Sequence, residues 1–166
     1  MTATPPPPAQ YVPPAQPAGP APGVKYAGHV ARFLAYLVDG FILGIVIWIL
    51  VVVLGLVVAA FASAGSDAAT ALSLVVTVAA VFAVSLGYFP YFWSRSGQTP
   101  GLRMLRLKVV RANDGGPLTS GQAVLRLIGL WISFAVFYLG VLWILVDSQR
   151  QGWHDKIAST VVIEVP

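Results

Sequence analysis

Between Phe33 and Phe61 a single charged residue, Asp39, interrupts an otherwise uncharged, apolar run. A helix of about 20 residues crosses the ~30 Å hydrocarbon layer of a bilayer, so this run predicts a first membrane span with length to spare. Residues 62–70, with Gly65, Ser66 and Asp67, predict a short loop. Residues 71–93 carry no charge and predict a second span antiparallel to the first. Tyr88, Tyr91 and Trp93 gather at its end, as aromatic side chains do at headgroup level.

The pattern then changes. Residues 94–101 are rich in turn formers, and in Leu105-Arg106-Leu107-Lys108-Val109 apolar and basic residues alternate, which predicts a short strand at the membrane surface. Asn113-Asp114-Gly115-Gly116 predicts a turn. Thr119 or Ser120 can cap a helix that runs through Arg126 into a third apolar segment, residues 127–146. The C-terminal piece is polar through Asp155-Lys156 and ends in a second strand pattern, residues 160–165. The fold class is therefore an all-α membrane protein. It is a small transmembrane helix bundle of two spans, with a third segment spanning or re-entrant and a short cytoplasmic β-hairpin-like element.

Composition agrees with a lipid solvent: 57% of residues are hydrophobic and 10% charged, against roughly 25% charged in an average soluble domain. The basic residues set the orientation. Lys25, Arg32, Arg95, Arg103, Arg106, Lys108, Arg111 and Arg126 flank the two spans on one side, and residues 62–70 carry none. The positive-inside rule places the N-terminus and residues 94–126 in the cytoplasm of a multi-pass cell-membrane protein. Were the third segment a plain crossing, as its length allows, Arg150 and Lys156 would lie outside and the strands near 105–111 and 160–165 could not pair. Were it re-entrant, turning near Tyr138-Leu139-Gly140, every basic residue would be cytoplasmic and the strands could meet. Non-helical backbone at membrane depth is tolerated only when buried in protein, which counts against the second arrangement. Both stand at this point, with a cytoplasmic C-terminus slightly preferred.

Other chemistry is sparse. The chain has no cysteine, and His29 and His154 stand far apart without a second ligand at metal spacing, which argues against a metal site or a cofactor. No nucleophile relay is indicated, so an enzyme is not expected. Residues 1–25 hold nine of the 13 prolines and lack the basic start and apolar core of a signal peptide. They predict a disordered proline-rich tail, either a solvated spacer or a docking segment for a protein partner. Residues 26–165 form the membrane domain. Expected partners are the lipid bilayer, with anionic lipid at the basic loop, and a second copy of the chain; nucleic acid is not expected.

Three stretches together resemble the RDD family of membrane proteins, named for one arginine and two aspartates. They are residues 31–39 (ARFLAYLVD), 96–101 (SGQTPG) and 151–160 (QGWHDKIAST). The resemblance implies that Arg32 is the family arginine, Asp39 the first aspartate and Asp155 the second, with Asp147 a less favoured substitute. Leu102 departs from the pattern, since many relatives carry a lysine there. The family's role is largely unassigned. Transport of an unknown ligand has been suggested, and sodium/proton exchange has been attributed to some members.

Asp39 has two readings. A carboxylate at membrane depth is costly and raises the hypothesis of a cation or proton site; alternatively, it sits at the headgroup boundary and pairs with Arg32 or Arg126 to pin helix packing. Arg32 lies seven residues earlier on the same helix face, ~10 Å along the axis. Gly40 and Gly44 beside it offer a face for close helix approach. The candidate cluster is Arg32, Asp39 and Asp155, with Asp147, Arg126 and His154 as lesser members. Two functions follow: a transport or sodium/proton-exchange component acting as an oligomer, or a scaffold recruiting partners through the proline-rich tail and basic loop. Three segments are few for a transport path, and no inverted repeat is evident.

Overall fold

A 35-residue helix, α1 (His29–Ser63), is followed after three residues by the 29-residue α2 (Asp67–Arg95), and the two pack along each other as a hairpin. Each exceeds the ~20 residues a bilayer requires. Their outer faces are open: Leu56 is 68% exposed, Trp48 66% and Leu72 66%. Surface this apolar, over helices this long, is stable only in lipid. The computed structural model describes residues 23–166, and the expectation of a disordered tail falls mainly on residues outside that range.

After α2 the chain makes a five-residue helix, α3 (Pro100–Met104), and a strand, β1 (Leu107–Arg111). Thr99 starts α3 by accepting the Leu102 amide at 3.2 Å, and Pro100 sits at its first position, where a missing N–H costs nothing. Thr119 caps α4 (Ser120–Ala135) in a reciprocal capping box with Gln122. Then come α5 (Leu139–Leu142), a 3-10 turn (Trp143–Leu145), α6 (Trp153–Ile157) and β2 (Thr160–Glu164). β1 and β2 pair antiparallel from Leu107 with Glu164 to Arg111 with Thr160, and Tyr26 adds a bridge to Ile163. The expected hairpin-like element is thus an antiparallel pair, but it is joined through α4–α6 instead of a turn.

The third apolar segment breaks where a turn was expected. α4 and the Leu139–Leu145 helix meet at 111°, across Phe137 and Tyr138 with φ of 49° and 62°. Left-handed φ at two non-glycine residues is costly, so surrounding contacts must hold the bend. Both ends of the segment return to the same module. Gln122 Nε2 donates to the Ala158 carbonyl at 3.2 Å, and Lys156 pairs with Asp147 at 2.6 Å. Arg150 Nη1 donates to the Tyr26 carbonyl at 3.3 Å. The segment therefore folds back on itself, and the C-terminus lies at the end of the hairpin where α1 begins. The buried core also sits there, built from Ala35, Trp93, Leu102, Leu107, Val109, Leu127, Leu130 and Val162.

Candidate functional site

Two buried polar networks flank that core. The first centres on Asp155, in the first turn of α6 and fully buried. Its carboxylate accepts Arg32 Nη1 at 2.9 Å, Arg126 Nη1, and the Gly152 amide at 3.0 Å. Arg126 Nη1 also donates to Thr160 Oγ1 at 2.6 Å, and Nη2 to the Tyr36 hydroxyl at 3.4 Å; the guanidinium lies 4.8 Å from the Trp93 ring centre. Arg32 Nη2 donates to the Val162 carbonyl at 3.3 Å. The carboxylate thus joins α6 to α1 and α4, and its two arginines extend the network to Trp93 on α2 and to β2. α6 can come this close because Gly129 faces it: a Cβ there would stand 2.9 Å from the His154 Cα.

Burial opposes ionisation of Asp155, but Arg126, Arg32 and the Gly152 N–H outweigh it and hold the carboxyl well below the usual range. His154, 1% exposed, is pushed down to about 4 by burial, with Arg126 and Arg32 adding to the effect against Asp155. It is therefore neutral at neutral pH, and the arginines carry the stabilisation of Asp155. Two guanidinium charges then face one carboxylate.

The second network centres on Asp39, also fully buried. Oδ2 accepts the Thr99 hydroxyl at 2.5 Å, and Oδ1 accepts the Gly101 amide at 2.8 Å and the Tyr88 hydroxyl at 3.0 Å. These three donors link α1 to α2 and to the start of α3. A Cβ at Gly101 would overlap the Ala35 carbonyl oxygen and lie 2.9 Å from the Asp39 carboxyl carbon, so only glycine lets α3 approach α1 this closely.

The structure brings Arg32, Arg126 and Asp155 together and leaves Asp39 apart. Among the described residues Asp39 pairs with neither Arg32 nor Arg126, so the single cluster of Arg32, Asp39 and Asp155, like the pairing of Asp39 with arginine, is corrected. The cause is spacing: ~10 Å of helix separates Asp39 from Arg32, and the Thr99–Gly101 turn reaches the carboxylate first. Asp147 does not take the place of Asp155; it binds Lys156 and accepts the Gln149 and Gln151 amides at 3.1 and 3.0 Å, ordering the turn before α6. Trp93, read as a headgroup-level aromatic, is instead fully buried beneath Arg126, whereas Tyr91 is 57% exposed. Tyr88 was read only as a headgroup-level aromatic, and Tyr36, Thr99, Gly101 and Thr160 stood in the three matching stretches without a role of their own.

The RDD family profile matches residues 26–159 and so takes in both networks. The chain belongs to the RDD family. The uncharacterized protein YxaI of Bacillus subtilis is 30% identical over 149 residues, covering 84% of this chain and 97% of YxaI. The uncharacterized protein RP437 of Rickettsia prowazekii is 37% identical over 82 residues, 49% of this chain and 44% of its own length. A proline-rich antigen homolog of Mycobacterium tuberculosis is 33% identical over 69 residues, 42% of this chain and 29% of its own. The chain thus spans less than half of the Rickettsia and mycobacterial relatives. No solved structure matches it. Within the matched stretch Arg32 and Asp155 lie in one network and Asp39 in the other.

Proposed function

We propose that the chain is a membrane scaffold: a helix hairpin carrying a folded basic module at the cytoplasmic face of the cell membrane, which recruits partners through that face and the proline-rich tail. The observation that supports this most directly is that the marked charged residues are used within the monomer. Asp155 is enclosed by two arginines and Asp39 by three neutral donors, so neither is directed, among the described residues, at a path an ion could follow. The orientation rests on the positive-inside rule, now with Arg150 and Lys156 at the same end as the other eight basic residues.

One feature favours the second reading, ion exchange by an oligomer: Asp39 is a buried carboxylate without a cationic partner among the described residues, on a span, where such groups mark ion pathways. Sodium-driven proton flux in proteoliposomes decides between them. The scaffold predicts that wild type and Asp39→Asn both match protein-free vesicles. Flux in wild type that disappears in Asp39→Asn would replace the scaffold with an exchanger.

A further inference from the structure

The Ser96–Gly101 motif does more than cap α3 and hold Asp39. Its outer side forms one wall of a groove of about 320 Å³ between the end of α2 and α3, lined by Phe92, Gln98, Pro100, Arg103 and Met104. Three of these walls are apolar, and Met104 is 70% exposed. On α2, which supplies Phe92 to the groove, the nearby Tyr91 is 57% exposed, and farther back along the helix the apolar Phe82 is 61% and Leu86 38% exposed. The Gln98 amide is committed to the Leu107 carbonyl at 2.8 Å, which leaves the exposed Arg103 as the charged group on the rim. Among the described residues no carboxylate lies within ion-pair distance of Arg95, Arg103, Arg106 or Lys108; Asp114 pairs with Arg111, Asp147 with Lys156, and Asp155 with Arg32 and Arg126. Arg95 lies 5.6 Å from the Tyr91 ring centre, which engages its charge with an aromatic face.

We infer that this groove holds one anionic phospholipid, with the phosphate on Arg103 and the glycerol and first acyl methylenes against Phe92, Pro100 and Met104. Charge complementarity selects an anionic headgroup over a zwitterionic one, because the basic residues around the groove have no internal acid to neutralise them. The apolar walls, at the end of a helix long enough to span a bilayer, select a lipid over a soluble anion, since they would otherwise stay open to water. The inference holds whether the chain is a scaffold or an exchanger.

Native mass spectrometry of the full chain in detergent tests it, with phosphatidylglycerol and phosphatidylcholine of identical acyl chains as probes. Arg103 is exposed and its side chain makes no hydrogen bond or ion pair among the described residues, so Arg103→Ala leaves the protein folded. The expected result is a preference for phosphatidylglycerol that falls about fivefold in Arg103→Ala, is largely restored by Arg103→Lys and changes little in Arg106→Ala. Equal losses in Arg103→Ala and Arg106→Ala would overturn the site in favour of a diffuse basic field. Equal binding of the two lipids would also overturn it, as would displacement of phosphatidylglycerol by an equimolar amount of soluble glycerol phosphate.

Discussion

His154 is packed against α4 beside Asp155, and neither ring nitrogen has a hydrogen-bond partner among the described residues. Its pH dependence follows from burial. The folded chain keeps the ring neutral down to about 4, whereas the unfolded chain protonates it near 6.5. Stability is therefore complete above 6.5 and is lost as pH falls from 6.5 toward 4, by up to about 3 kcal/mol. Asp155 acts in the same direction but further into acid, because its stabilisation is present above 3.8 and lost below it. Thermal unfolding in detergent between pH 7 and 4.5 isolates the histidine. His154→Gln should flatten the decline of Tm with acidity; a decline as steep as in wild type would assign it to other groups.

The elements show which parts of the fold the chain announces locally. The two spans were legible because apolar runs longer than 20 residues have no other solvent. The strands were legible from the alternation in residues 105–109 and the β-branched end of the chain. α3 and α6 were not, because five residues make little more than one helical turn and carry no periodicity. The partners of Asp39 were hidden for the same reason, since Thr99 and Gly101 become donors to it only when α3 lies across α1. Gly101→Ala tests that crossing. It should push α3 off α1, leave Asp39 without the amide it accepts, and destabilise the fold by roughly 1–3 kcal/mol, measured as a loss of unfolding free energy in a denaturant titration. Wild-type stability in that variant would mean that α3 is not seated on α1.

Across the whole molecule, the two networks do one mechanical job: they fasten everything after the hairpin to the end where α1 starts. Asp155 closes the folded-back arm and β2 onto α1, and Asp39 closes the α2–α3 corner onto the same helix. A buried ion pair contributes little net stability but costs about 3–5 kcal/mol to break, which suits a latch that fixes one arrangement. Sequence alone left open whether residues 127–146 cross, since their length fits a span and their bend depends on contacts from α6 and β2 far along the chain. The central claim is that both ends of the arm lie on one side of the membrane. Because the chain has no cysteine, single variants at Ser66, Asn113 and Pro166 can each be labelled with an impermeant maleimide in right-side-out and inverted vesicles. Ser66→Cys should label only from outside, and Asn113→Cys and Pro166→Cys only from the cytoplasmic side; labelling of Asn113→Cys and Pro166→Cys from opposite sides would contradict the latch and the re-entrant arm together.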